Sequence, residues 1–234
     1  MADYLRCARP GRSLLPLALR SVIHNHWDYH PKLKRTVYLY RDGRDVMTSM
    51  YFYRIRSMSQ YKGNSRARKH MEHILGRGFD PDNTAINLPG FMAYEFENPK
   101  SAGRHNWATH VLAWHQPSRT DRLLYLSYEQ LIENTTQSLA KAIEHVSPIE
   151  TDPRLIARTV DHYKMQSITG RKPGTESRGD FVRKGIAGDW QNHFTKEAAE
   201  VFNHYAGEAL VKLGYETDTN WWIKYANQSL ATPS

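Results

Sequence analysis

Val37-Tyr38-Leu39-Tyr40-Arg41-Asp42-Gly43-Arg44-Asp45-Val46-Met47-Thr48-Ser49 is the stretch on which the fold turns. Val37 to Tyr40 is β-branched and aromatic, the composition of a strand. It stops at Arg41-Asp42-Gly43, a turn sequence. Asp45 to Arg56 then reads as a helix. The unit is strand, turn, helix, and its turn brings backbone N–H groups and a positive helix end to the strand's end. That is a ready place for an anion. Arg41 adds a planar fork able to hold a phosphate through two hydrogen bonds. Ser49 lies eight residues beyond it, about two helical turns. The turn breaks that regularity, so a ligand shared by Arg41 and Ser49 is allowed rather than required.

Further along, Leu123-Leu124-Tyr125-Leu126-Ser127-Tyr128 reads as a second buried strand, followed by Glu129. Ala108, Val111, Leu112 and Trp114 give helical spacing before it. Leu139, Ala140, Ala142, Ile143 and Val146 give a helical face after it. Asp152-Pro153 opens another helix, with Asp152 at the N-cap and proline first inside. Thr195 is expected to cap a long helix with a core stripe of Ala198, Val201, Phe202, Tyr205, Ala209 and Leu213, ending at Gly214. Strands alternating with helices predict an α/β fold, a mainly parallel central sheet flanked by helices. Residues 76–106 and 166–190 lack clear periodicity and read as long loops. No linker divides the chain, so residues 1–234 are taken as a single domain.

Composition sets wider limits. Hydrophobic residues make up 40% and charged residues 24% of the 234, which is ordinary for a globular chain. No apolar run approaches eighteen residues, so no transmembrane helix is expected. Met1 to Arg20 lacks a small-residue cleavage site and reads as folded protein or a fragment edge rather than a signal peptide. Cys7 is the only cysteine, which excludes an intrachain disulfide and suits a reducing, cytoplasmic compartment. The net charge of +8 favours anionic partners. The basic residues are scattered among acids, and no helix-turn-helix, zinc or RNA-recognition signature accompanies them. Neither a nucleic-acid nor a membrane partner is therefore expected. Oligomeric state is not legible.

Two groups of residues carry candidate chemistry. Arg183-Lys184-Gly185-Ile186-Ala187-Gly188-Asp189-Trp190 offers two cations and a glycine whose backbone can approach an anion closely. Alone, it and the Arg41 segment are ordinary basic loops; together they look like two halves of a clamp for one phosphate. Ser21 to His26 reads as a strand with His24 and His26 on one face. Those histidines could serve as a base or could be structural. With His30 and Asp28 they could also ligate a metal, although no matching His/Cys cluster is visible elsewhere.

The pairing of these segments resembles the sulfotransferases that use 3′-phosphoadenosine 5′-phosphosulfate. Val37 to Ser49 is similar to that family's strand–arginine–helix–serine segment. Phe181 to Phe194, Phe-Val-Arg-Lys-Gly-Ile-Ala-Gly-Asp-Trp-Gln-Asn-His-Phe, looks like its Arg-Lys-Gly…Gly-Asp-Trp loop nearly residue for residue. Tyr125 to Glu129 is similar to its Tyr-Glu segment. The resemblance runs over roughly residues 20–214, in the family's order. It implies a nucleotide-kinase-like α/β fold. It also implies that Arg41, Ser49, Arg183, Lys184 and Gly185 hold the donor's 3′-phosphate, with Tyr128 near the adenine. His26 takes the position of the histidine that deprotonates a small-molecule hydroxyl or amine acceptor. No metal is required.

The family's opening strand and Gly-rich 5′-phosphosulfate loop have no good copy here. Ala8-Arg9-Pro10-Gly11-Arg12-Ser13 is the nearest candidate. A degenerate loop, a chain lacking the family's N-terminus and an inactive nucleotide-binding domain are the three explanations, the second being preferred. His24 stands where the family has lysine. Met165 falls where the family packs a residue on the adenine, or is core. Trp107, Trp114 and Trp190 are expected to fill core. Tyr51, Phe52, Tyr53, Phe91 and Tyr94 form either an aromatic acceptor wall or core. The family's dimer motif is only partly echoed, by Thr195 and Glu200.

Overall fold

Two strands, β1 (Thr36–Tyr40) and β2 (Leu123–Ser127), pair in parallel, with Thr36 opposite Leu123 and Tyr40 opposite Ser127. They belong to a computed structural model that describes His26, Tyr29, Leu33 and residues 35–60, 65–99, 105–115, 122–147 and 150–227. Of the strand expected over Ser21–His26, only His26 is among them. Cys7, the Arg9–Ser13 segment, His24, Asp28 and His30 lie outside the described residues.

Among the described residues the chain passes from β1 to β2 through four helices: α1 (Gly43–Gln60), α2 (Ser65–Leu75), α3 (Thr84–Glu97) and α4 (Trp107–Trp114). After β2 come α5 (Tyr128–Glu133), α6 (Thr135–Val146), α7 (Pro153–Tyr163), α8 (Met165–Thr169) and α9 (Lys196–Lys212). Tight 3₁₀ turns lie at Asp189–Asn192 and Trp221–Asn227. Among the described residues the sheet is therefore parallel and flanked by helices, the α/β class expected. No helix among them is long and apolar enough to cross a membrane.

Local chemistry accounts for the ends of these elements. Asp152 accepts from the Arg154 N–H ahead of Pro153, and Thr195 accepts from the Ala198 N–H, so both caps fall where they were expected. The second strand is one residue shorter than read. The Ser127 hydroxyl accepts from the Gln130 N–H while the Gln130 side chain accepts from the Ser127 N–H. This reciprocal cap starts α5 at Tyr128, which therefore opens a helix instead of ending a strand.

The core forms where α3 and α4 pack on α9 and where α1 packs on α3. Tyr51, Phe91, Phe202, Met47, Met71 and Leu88 are its largest fully buried side chains. Residues 76–106 are thus not one loop. They hold α3, whose internal Pro89 and adjacent Gly90 disguised a buried helix capped by Asn83. The α9 stripe is also shifted. Ala198, Phe202 and Ala209 are buried as read, but Ala199, Ala206 and Leu210 complete the face, while Val201, Tyr205 and Leu213 sit at its margin. Small residues let α3 and α4 approach α9 closely, and a hydropathy stripe gives too little weight to alanine.

Tyr38 on β1 stacks on Trp114 of α4 at 4.6 Å and meets His110 Nδ1 through its hydroxyl at 3.0 Å. Burial raises its phenol above the usual range, with the neighbouring Tyr125 and Tyr40 adding to the effect. Trp114 is core, as expected. Trp107 is only partly buried and serves a different purpose. Its indole Nε1–H donates to the Arg41 carbonyl at 3.2 Å, and its ring lies across Gly43. A Cβ on Gly43 would come within 2.6 Å of that ring. The close approach of the β1–α1 turn to α4 thus requires glycine at this position.

Candidate functional site

The turn after β1 and the loop before α9 meet directly. Arg41 Nη2 donates to the Ile186 carbonyl at 2.9 Å, across 145 residues of sequence. The Asp45 carboxylate, buried in the first turn of α1, accepts from the Gly188 N–H on Oδ2 (2.7 Å) and from the Trp190 N–H on Oδ1 (3.0 Å). Asp45 also pairs with Arg41 at 3.2 Å. Arg41 in turn lies over the Tyr128 ring at 4.4 Å. Arg41, Tyr128 and the Gly185–Trp190 segment are therefore one assembly.

Beneath it the turn is held by a second, buried network. Arg44 pairs with Asp42 (2.7 Å) and with Glu216, and its guanidinium lies 3.9 Å from the Trp190 ring and 4.7 Å from Trp221. Trp190 packs the Gly-Asp-Trp turn as expected. Glu129, beside Tyr128, accepts from the Asp42 N–H (3.2 Å) and the Tyr215 hydroxyl (2.8 Å). Burial, reinforced by that carboxylate, raises the Tyr215 phenol well above its usual range.

Arg183 and Lys184 converge on one buried carboxylate. Asp189 accepts from Lys184 Nζ (2.7 Å), Arg183, Asn192 (3.0 Å) and the His193 ring (3.3 Å). Burial alone would raise the Asp189 pKa. Hydrogen bonds from His193, Lys184, Arg183 and Asn192 outweigh it and hold the group far below the usual carboxylate range. Glu176 takes the other side of Arg183 at 2.7 Å. Behind the two cations the backbone is tied down, since Arg171 donates to the carbonyls of Thr175, Val182 and Arg183.

Ser49 is exposed on α1. Its helix face explains its place. Asp45, Ser49 and Phe52 follow one another at four and then three residues, which puts them on one stripe. Asp45 holds Gly188 and Trp190, while the Arg183 guanidinium lies 4.3 Å from the Phe52 ring. Ser49 thus stands between the two points where the 183–190 loop meets α1. Gly185 has φ +65°, and a Cβ there would come within 2.3 Å of Met165 Sδ. Met165 therefore packs beneath the glycine, and only glycine suits both the backbone and the contact. A pocket of about 460 Å³ adjoins this point, lined by Glu129, Ile132, Glu133, Pro173, Gly185, Ile186 and Ala187.

The expected aromatic wall divides. Tyr51, Phe52 and Phe91 are core, whereas Tyr53 is half exposed. His26 is exposed, and the neighbours that would define its strand lie outside the described residues. Among the described residues no cluster of His, Cys, Asp and Glu could hold a metal. Sequence reading passed over Asp45, Asp189 and Arg171. Asp45 had a legible signal, an acid four residues after Arg41 on a helix. Arg171 had none, because its hydrogen bonds run to backbone carbonyls and its ion pair with Asp180 (3.1 Å) follows no helical spacing.

Comparison with known proteins agrees with this geometry. The family described as sulfotransferase domain matches residues 16–214. Sulfotransferase 1A1 of Canis lupus familiaris is 32% identical over 179 residues, covering 72% of this chain and 52% of that protein. Sulfotransferase 1E1 of Mus musculus is 26% identical over 191 residues, covering 76% and 55%. The chain thus spans about half the length of these relatives. The crystal structure of mouse sulfotransferase SULT7A1 complexed with PAP superposes with a TM-score of 0.51 at 18% identity, over 81% of this chain and 62% of that one, a likeness of fold. With most of its length matched by the family, and with the loop, turn and helix of that match joined in one assembly, the chain belongs to the sulfotransferases.

Proposed function

We propose that the chain transfers a sulfuryl group from 3′-phosphoadenosine 5′-phosphosulfate to a hydroxyl or amine of a small-molecule acceptor. The observation that carries this reading is the junction of Arg41 with the Gly185–Trp190 loop, built around Asp45. It joins the turn that carries Arg41 to the loop that carries Gly185, and Arg183 of that loop lies against Phe52 of α1, an arrangement that supports a 3′-phosphate clamp.

The residues present suit the donor. Arg41 Nε is buried without a hydrogen-bond partner in this structure, so the guanidinium has donor capacity to spare. Arg183 and Lys184 are held in place by Asp189 rather than by distant surface groups. Arg41, Ser49, Arg183, Lys184 and Gly185 would hold the 3′-phosphate, with Tyr128 near the adenine. The apolar pocket beside Gly185 has room for the nucleoside. The donor supplies an activated sulfuryl group. His26 would take the proton from the acceptor's hydroxyl or amine as that atom attacks. Positioning and electrostatics would supply most of the rate, by analogy with phosphoryl transfer. The reading treats residues 1–234 as one functional unit, places it in the cytoplasm on the strength of its single cysteine, and uses no metal, nucleic acid or membrane.

The test compares wild type with His26→Ala. Both should be stabilised equally against heat by adenosine 3′,5′-bisphosphate, by about 2.7 kcal/mol at a hundred times the dissociation constant. Only wild type should release the bisphosphate from the donor when offered phenolic, alcoholic and amine acceptors. Turnover that survives the substitution would remove His26 from the chemistry. Wild type that binds without turnover on any acceptor would leave a nucleotide-binding module.

A further inference from the structure

We propose that Asp45 is the positioning residue of the 3′-phosphate clamp, and that it sets the protein's selectivity for a 3′-phosphorylated nucleotide without touching the ligand. The proposal rests on the nucleotide-binding reading above. Three of the groups assigned to the phosphate, Arg183, Lys184 and Gly185, lie on a loop; two, Arg41 and Ser49, lie on the β1–α1 unit. A loop costs conformational entropy when a ligand must order it, and a loop already fixed does not.

Asp45 supplies that fixing. Its side chain is 1% exposed, so it is shielded from solvent. Each oxygen accepts from a different backbone N–H of the loop's far end, Gly188 on one and Trp190 on the other. The oxygen that holds Gly188 also pairs with Arg41. Asp45 therefore orients the phosphate-binding arginine and anchors the phosphate-binding loop at once. Only a carboxylate can do both. An amide offers one acceptor oxygen and turns two donors toward the remaining N–H groups. The second anchor, Arg183 against Phe52, lies at the other end of the same helical stripe. Both anchors are contacts within the chain, and the proposal holds that they assemble the clamp before the nucleotide binds.

The experiment measures the affinity of wild type and Asp45→Asn for adenosine 3′,5′-bisphosphate and adenosine 5′-monophosphate by calorimetry. A wild type with no preference for the bisphosphate would overturn the nucleotide reading itself. Given a preference, Asp45→Asn should lose at least about tenfold of it, the scale of one hydrogen bond to a charged group. In an Arg183→Ala background the same substitution should cost less, since one of the cations through which Asp45 acts is gone and only its hold on Arg41 and the rest of the loop remains. A preference unchanged within twofold, or losses that simply multiply, would reduce Asp45 to a fold-stabilising residue. Amide exchange on wild type gives a readout that does not depend on a variant's folding. The Gly188 and Trp190 N–H groups should exchange slowly before any nucleotide is added. Fast exchange that slows only with the bisphosphate would show a clamp assembled by its ligand, and would overturn the proposal.

Discussion

Asp189 shows how a single residue can set the electrostatics of a loop. Four donors surround it, two of them the cations assigned to the phosphate. It holds Arg183 and Lys184 on one carboxylate, which offsets their mutual repulsion. The cost falls on stability at low pH. The folded-state pKa is depressed, so the contribution is fully present above the unfolded value, about 3.9 for an aspartate. It is lost as pH falls below that value toward the folded one. Asp189→Asn should therefore destabilise the protein by roughly 3 kcal/mol at pH 7, as breaking a buried ion pair does. The gap between variant and wild type should narrow from about pH 4 downward. Urea unfolding at a series of pH values reads both quantities. A gap that stays constant from neutral to acid would mean that the carboxylate's charge does not stabilise the fold.

Among the elements, the meeting of the β1–α1 turn with α4 decides where Arg41 stands. Trp107 donates to the Arg41 carbonyl while its ring covers Gly43. Gly43→Ala must therefore push apart two elements rather than a flexible side-chain tip. Overpacking of this kind costs about 1–3 kcal/mol, and here it should also weaken nucleotide binding by displacing Arg41. Gly90 is the control. It lies in a helix, and a Cβ there would find only Leu75 Cδ2 at 3.9 Å. Gly90→Ala should leave binding alone and stabilise the fold by up to about 1 kcal/mol through helix propensity. Chemical unfolding and bisphosphate titration of both variants separate the two cases, and equal effects would contradict the packing argument. The same elements show what sequence could and could not reveal. β1, α1, α7 and α9 were legible because strand composition, Asp152-Pro153 and Thr195 mark them locally. The α3 helix was not, because Pro89 and Gly90 break the local pattern and only its burial against α9 makes it a helix. The residues proposed for the clamp were named from a family pattern. Asp45's hold on Gly188 and Trp190 was not, since a side chain bonded to a distant backbone leaves no periodic trace.

At the scale of the whole molecule, the charge of +8 and the proposed clamp would make separable contributions to anion binding. Scattered surface cations attract any polyanion, and salt screens them, with a Debye length of about 10 Å at 0.1 M and about 3 Å at 1 M. The cations proposed for the clamp are different. Arg41, Arg183 and Lys184 have side chains only 25%, 12% and 19% exposed, and each is already oriented by an internal carboxylate. Contacts made there are direct and poorly screened. Raising salt from 0.05 to about 0.5 M should therefore weaken adenosine 3′,5′-bisphosphate and adenosine 5′-diphosphate alike, through the shared long-range attraction. The ratio between them should hold within about twofold, because it arises from local hydrogen bonds that both ends of the titration retain. A nucleic-acid-type surface would behave otherwise, with affinity following the number of phosphates and falling steeply with salt whatever their position. Titrating both nucleotides at each salt concentration decides between the two. A ratio that decays toward unity would mean that the preference was diffuse electrostatics, and that the junction around Asp45 holds the fold together without reading the 3′-phosphate.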